Sequence, residues 1–272
     1  MAPRSPIPSS SLSTTLVRHT CWLYWIPLIA ELDYRADHCL TLLAYDRFNC
    51  GDSDPLPSYR SINDTATCAS DLCLLLKAVE NRHGPAVGHA HTRLVLVGSS
   101  IGCCIIRLLL QNHSVSIPDV QSVILLDSYL SNSDFVSLFP ERRDDEPEEL
   151  TRTRDIIART FHPSVRNSER FDRSTAAALL PSSSEPKFEK NPELAIVVHD
   201  FEYTAHEMAG KMGLDEACYL KYVDSALMKY HEGLEKLSPN SRRMVAEESG
   251  HFIHLDRPDI VIKEIMRCID SQ

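Results

Sequence analysis

Short apolar runs punctuate the chain at residues 40–45, 93–97, 122–126, 194–198 and 243–246. Their apolar residues are consecutive rather than alternating, the pattern of a strand covered on both faces. Helical spacing fills the intervals. Ala66, Ala69, Leu72, Cys73, Leu76 and Val79 recur at three- and four-residue steps, predicting a helix with Asp64 as its N-cap. Further helices are expected over 101–111, 216–237 and 258–269. Strands alternating with helices predict an α/β fold: a mostly parallel sheet with helices on both faces, joined by right-handed crossovers.

Residues 128–192 break this alternation with a charge run at 141–149, a helical pattern through Phe161, and a polar stretch at 182–185 flanked by prolines. The chain therefore divides into a core, 1–127 with 193–272, and an inserted helical lid, 128–192. The charge run reads as a solvated face of that lid.

Composition narrows the picture. A chain of 272 residues, 43% of them hydrophobic, can bury one large core. A formal net charge of -10 argues against nucleic acid or an anionic membrane surface as partner, since both need a basic face. The apolar stretch 21–30 is too short for a bilayer span, which takes about 20 residues. The Pro- and Ser-rich start lacks the apolar centre of a signal peptide. Nine cysteines show no C-x-x-C pair and no zinc-like spacing, so they read as buried thiols in a reducing, cytoplasmic setting. No nucleotide fingerprint or metal set is present, and no cofactor is expected. Oligomeric state is not legible.

Chemistry concentrates at three places. Gly98-Ser99-Ser100-Ile101-Gly102 follows an apolar strand and opens a helix. G-x-S-x-G at such a junction is a nucleophile elbow: Gly98 and Gly102 allow a tight turn that lifts the Ser100 hydroxyl out of the sheet and aims the Ile101 amide at a developing oxyanion. A serine hydroxyl needs an adjacent base. His251, after Gly250 in the loop beyond the last strand, is the candidate, while His254 is expected to pack locally. The third place is the Asp-, Asn- and Gly-rich turn 45–55, which by itself carries no chemistry.

In order, the turn, the elbow and the ending Gly250-His251-Phe252 through Val261 resemble the α/β-hydrolase superfamily, from about residue 22 to the C-terminus. The resemblance implies a Ser–His–acid triad, an oxyanion hole of two backbone amides and no cofactor. It places the acid after one of two strands, at Asp127 or at Asp200, with Asp127 favoured and Glu202 an outsider. It also implies a sheet with its first two edge strands missing. The family's central strand ends in His-Gly. Residues 14–20 are the candidate to fill that place, ending in His19-Thr20, with Thr20 or Cys21 offering the second oxyanion amide. Asn49 stands where the family has a glycine. The function implied is acyl-enzyme hydrolysis of a small, hydrophobic ester, lactone or thioester. The alternative is a catalytically weak or inactive relative serving as a ligand-binding or interaction scaffold.

Overall fold

The structure, a computed structural model, describes residues 12–17, 22–35, 40–87 and 93–270. Its strands are β1 (Leu12–Val17), β2 (Leu40–Ala44), β3 (Arg93–Ser99), β4 (Val120–Leu126), β5 (Glu193–His199) and β6 (Ser241–Ala246). They form one six-stranded sheet in the order β2-β1-β3-β4-β5-β6. Every neighbouring pair is parallel. The five apolar runs are β2 to β6, and the expected α/β class holds. The segment proposed for the sheet centre is there: Thr14 is in register with Leu42 on one side and Val95 on the other. Without β1, the facing edges of β2 and β3 would lose their ladder partners.

A 3₁₀ turn at Trp22–Trp25 leads into α1 (Ile26–Arg35), followed along the chain by α2 (Thr65–Val87) and α3 (Ile101–His113). Between β4 and β5 lie α4 (Glu148–Phe161) and the short α5 (Ala176–Leu179). After β5 come α6 (Phe201–Met212), the short α7 (Glu216–Cys218), a π-helical turn over Tyr219–Asp224, and α8 (Ser225–Leu234). The short α9 (Ile253–Asp256) and α10 (Pro258–Asp270) close the chain. Asp64 caps α2 as expected, its carboxylate accepting from the Thr67 amide at 2.9 Å. Two helical details depart from expectation. The stretch 216–237 is helical but changes pitch at the π turn. Helix α6 is not among the expected elements, although Phe201, Ala205, Met208 and Met212 recur at three- and four-residue steps and pack on the core. Its ends are capped as well: Asp200 accepts from the Tyr203 amide, and Gly213 leaves the helix at φ 72°.

Alternate residues of the central strands feed two cores. Leu94, Leu96, Val123, Leu125, Ile196 and Val198 pack with α2, α3 and α8 on one face. Val95, Val97, Ile124, Leu126, Ala195 and Val197 pack with α1 and α10 on the other. Each such Leu or Ile buried contributes about 1.5–3 kcal/mol, so the strand ends that carry polar residues rest on a rigid base.

The turn after β2 clamps the segment between β4 and β5. Arg47 pairs with Glu169 at 2.5 Å, with side chains only 2% and 12% exposed. Arg47 also lies over the Phe171 ring. Asn49 takes φ 64°, the conformation for which asparagine replaces glycine most readily. Its side-chain amide donates to the Glu169 carbonyl. Among the described residues no helix is long and apolar enough to cross a membrane.

Candidate active site

Ser100 is the single residue between β3 and α3, at φ 55° and ψ -121°. A serine occupies this region only when its surroundings impose it. Here the Ser100 amide donates to the Leu126 carbonyl at 3.0 Å, and its own carbonyl accepts from the amides of Cys103 and Tyr129 at 3.0 and 3.2 Å. The turn also needs strand and helix to touch. A Cβ on Gly98 would lie 2.9 Å from the backbone carbonyl carbon and oxygen of Gly102. Gly98→Ala must therefore spread the elbow. Chemical denaturation should show a loss of about 1–3 kcal/mol, the cost of overpacking, with turnover falling along with it. Ile101 heads α3, so its amide has no intrahelical acceptor and lies at the positive end of the helix dipole.

His251 sits in the loop after β6. That loop is pinned twice: the Glu248 amide donates to Asp200 Oδ2 at 3.1 Å, and the Gly250 amide donates to Asp256 Oδ2 at 2.9 Å. His251 Nδ1 lies 2.5 Å from Oδ2 of Asp127, the first residue after β4. Asp127 is itself buried, at φ 42°. Ser100, Asp127 and His251 line one cavity of about 410 Å³ whose walls include Leu130, Phe135, Phe161, Met208 and Met212. Among the described residues no hydrogen bond joins Ser100 directly to His251. Such bonds commonly tighten only around a substrate.

Asp200 is not brought to His251. Its carboxylate caps α6 through the Tyr203 amide at 3.2 Å and holds the Glu248 amide, so both oxygens serve backbone donors. Glu202 is exposed in the first turn of α6. Thr20 and Cys21, expected to offer the second oxyanion amide, lie outside the described residues. His254 packs, as expected: its ring stacks on Trp25 with centroids 4.4 Å apart.

Sequence reading passed over three residues behind the acid. His199, the last residue of β5, places Nδ1 2.8 Å from Asp127 Oδ1. Its Nε2 is 3.5 Å from Asp224 Oδ1, on the π turn. His231 meets the Ser128 carbonyl at 3.3 Å. The available signal was a histidine closing a buried apolar strand, a costly position unless a partner waits there.

The charges follow from these contacts. Burial alone would raise the Asp127 pKa, but the charge of His199 and the bonds from His199 and His251 outweigh it and hold the carboxyl well below the usual range. Burial opposes protonation of His199, yet Asp127 and Asp224 overcome it and raise its pKa to about 10. Burial lifts Asp224 to about 6 against the pull of His199, and holds His231 down at about 4. At neutral pH a buried cation therefore stands behind the acid. A raised histidine stabilises the fold below its unfolded pKa and loses that contribution as pH rises toward its folded one. Between about pH 6.5 and 8.5, wild-type stability should fall relative to a His199→Asn variant by about 1 kcal/mol per pH unit. Urea melts of both proteins across that range check it, and parallel pH profiles would exclude a cationic His199.

The model of the alpha/beta hydrolase family matches residues 9–264. No curated protein matches the sequence. Among solved structures, a thermophilic esterase from Thermogutta terrifontis is similar at TM-score 0.56 and 16% identity, over 96% of this chain and 90% of that one. The peroxisomal alpha-beta-hydrolase Lpx1 of Saccharomyces cerevisiae is similar at TM-score 0.59 and 13% identity, over 96% of this chain and 76% of that one. A 2-hydroxy-6-oxo-6-phenylhexa-2,4-dienoate hydrolase from Rhodococcus sp. strain RHA1 gives TM-score 0.54 and 14% identity, over 96% and 92%. At such identities the likeness shows the fold alone.

Proposed function

The chain belongs to the alpha/beta hydrolase family, and from that premise we propose that it is a serine hydrolase cleaving a small ester, lactone or thioester through an acyl-enzyme. The observation that carries this reading is the pairing of His251 Nδ1 with Asp127 at the rim of the cavity that Ser100 enters from its strained turn. The bond to Asp127 fixes the imidazole so that Nε2 carries the lone pair. That nitrogen takes the Ser100 proton as Oγ bonds to the substrate carbonyl carbon. The carbonyl oxygen becomes an oxyanion, stabilised by the Ile101 amide at the head of α3. Collapse breaks the bond to the leaving group, which receives the proton from His251. Water, deprotonated by the same imidazole, then releases the acid and restores Ser100. Asp127 remains an anion throughout, stabilised from behind by His199.

The apolar walls suit a hydrophobic acyl or ring group, and Phe135 and Phe161 come from the segment between β4 and β5, which we assign as the lid. Cys50, Cys68, Cys73, Cys103 and Cys104 are buried free thiols, consistent with a reducing cytoplasmic compartment. The test is capture by a fluorophosphonate probe. Peptide mapping should find the phosphonyl group on Ser100. A folded protein that resists the probe would instead support the binding-scaffold alternative.

A further inference from the structure

Away from Ser100, Asp127 and His251, the cavity wall also includes Arg173, in the segment between α4 and α5. Among the described residues Arg47, Arg107 and Arg154 are buried, and each has hydrogen-bond partners. Arg47 pairs with Glu169, and Arg154 with Glu146. Arg107 has no acid but donates to the Tyr230 hydroxyl and to the carbonyls of Ser182 and Glu185. Arg173 differs. Its Nη2 donates to the Val165 carbonyl at 3.1 Å and the His162 carbonyl at 3.5 Å, which fixes the guanidinium in place. No carboxylate among the described residues pairs with it, and its Nε is buried without an acceptor.

A second observation on the same wall points the same way. Tyr129 is 9% exposed, its hydroxyl is buried, and that hydroxyl has no hydrogen-bond partner. The Arg173 charge reaches it, offsetting part of the burial that pushes the phenol up to about 12. A buried donor left unmade costs about 1–3 kcal/mol. Both residues line the one cavity, and Arg173 is a cation that only donates and whose planar fork matches two-oxygen acceptors.

We propose that Arg173 and Tyr129 form an anion subsite for a carboxylate carried by the substrate, so that the substrate class is an ester whose acyl chain ends in a carboxylate, a half-ester of a dicarboxylic acid. The proposal rests on the serine-hydrolase reading for its chemistry, though not for its binding. The apolar walls hold the methylene chain, the ester carbonyl meets Ser100, and the far carboxylate meets Arg173. Water adds across the ester bond by the steps above, and the second carboxylate is untouched.

The test compares p-nitrophenyl half-esters of glutaric to suberic acid with p-nitrophenyl alkanoates of equal chain length. At its best length the wild type should favour the half-ester in kcat/KM. Arg173→Met should lower that half-ester to alkanoate ratio by about 10- to 100-fold, the worth of a hydrogen-bonded charge. Arg173→Lys should recover part of it. Tyr129→Phe, which removes one oxygen and leaves the lid contacts of Arg173 alone, should lower the ratio several-fold. A ratio unchanged within threefold in Arg173→Met and Tyr129→Phe overturns the subsite while leaving the hydrolase reading intact. If no p-nitrophenol is released and the fluorophosphonate leaves Ser100 unlabelled, the hydrolase reading fails. Calorimetry with the monoanilide of adipic acid against hexanoic anilide then decides the subsite alone. Tighter binding of the acid that disappears in Arg173→Met supports it, and equal binding overturns it.

Discussion

Ser100→Ala is expected to lower kcat on any p-nitrophenyl ester the protein cleaves by about 10⁴- to 10⁶-fold, with the fold retained. The size follows from the role. On the proposed acyl-enzyme route, removing the hydroxyl deletes the bond-forming atom, which leaves water attack assisted by the Ile101 amide and by binding. Stability should change little, because the φ of 55° is imposed by backbone hydrogen bonds that alanine keeps. Steady-state rates and a thermal melt of each protein give the comparison. A variant retaining a tenth of wild-type activity would mean that position 100 is not the nucleophile.

The second large effect belongs to Asp127→Asn, and it has two parts. Catalysis should fall by about 10⁴-fold, because a neutral amide neither fixes the imidazole tautomer nor stabilises its cation. Stability should fall by about 3–5 kcal/mol, because the buried His199 cation loses the anion that pairs with it. Asp200→Ala is the contrasting variant. It removes a helix cap worth about 1 kcal/mol and one tether of the 248–251 loop, and kcat should stay within about tenfold of wild type. Denaturant melts and kcat measured on the three proteins separate the cases. Equal catalytic damage from both substitutions would unseat Asp127 as the acid.

The parallel sheet was readable because strands buried on both faces leave continuous apolar runs, as at 122–126 and 194–198. The strand-to-helix turn at Ser100 was readable because Gly98 must lack a side chain where strand and helix touch. Helix α6 was legible in the spacing of Phe201, Ala205, Met208 and Met212, although no element was expected there. The choice between Asp127 and Asp200 stayed open in the sequence. Both acids end a strand, and only three-dimensional packing shows one capping a helix while the other faces His251. The His199–Asp224 pair was hidden because it joins residues far apart in sequence, and Arg173 because an unpaired charge looks like any other until its neighbours are in place.

The π turn at Tyr219–Asp224 has a consequence for how the chain tolerates change. An α-helix closes each hydrogen bond over four residues, and a π turn over five, so the wide turn holds one residue more in nearly the same rotation and rise. Deleting one residue inside it should close the bulge into a regular spiral and leave Tyr219 on the cavity and Tyr230 in the core still in phase. A deletion in the regular stretch Ser225–Leu234 has no such slack and would turn one side against the other by about 100°. The wide turn works like a slack link in a chain, taking up one surplus residue without twisting what lies on either side.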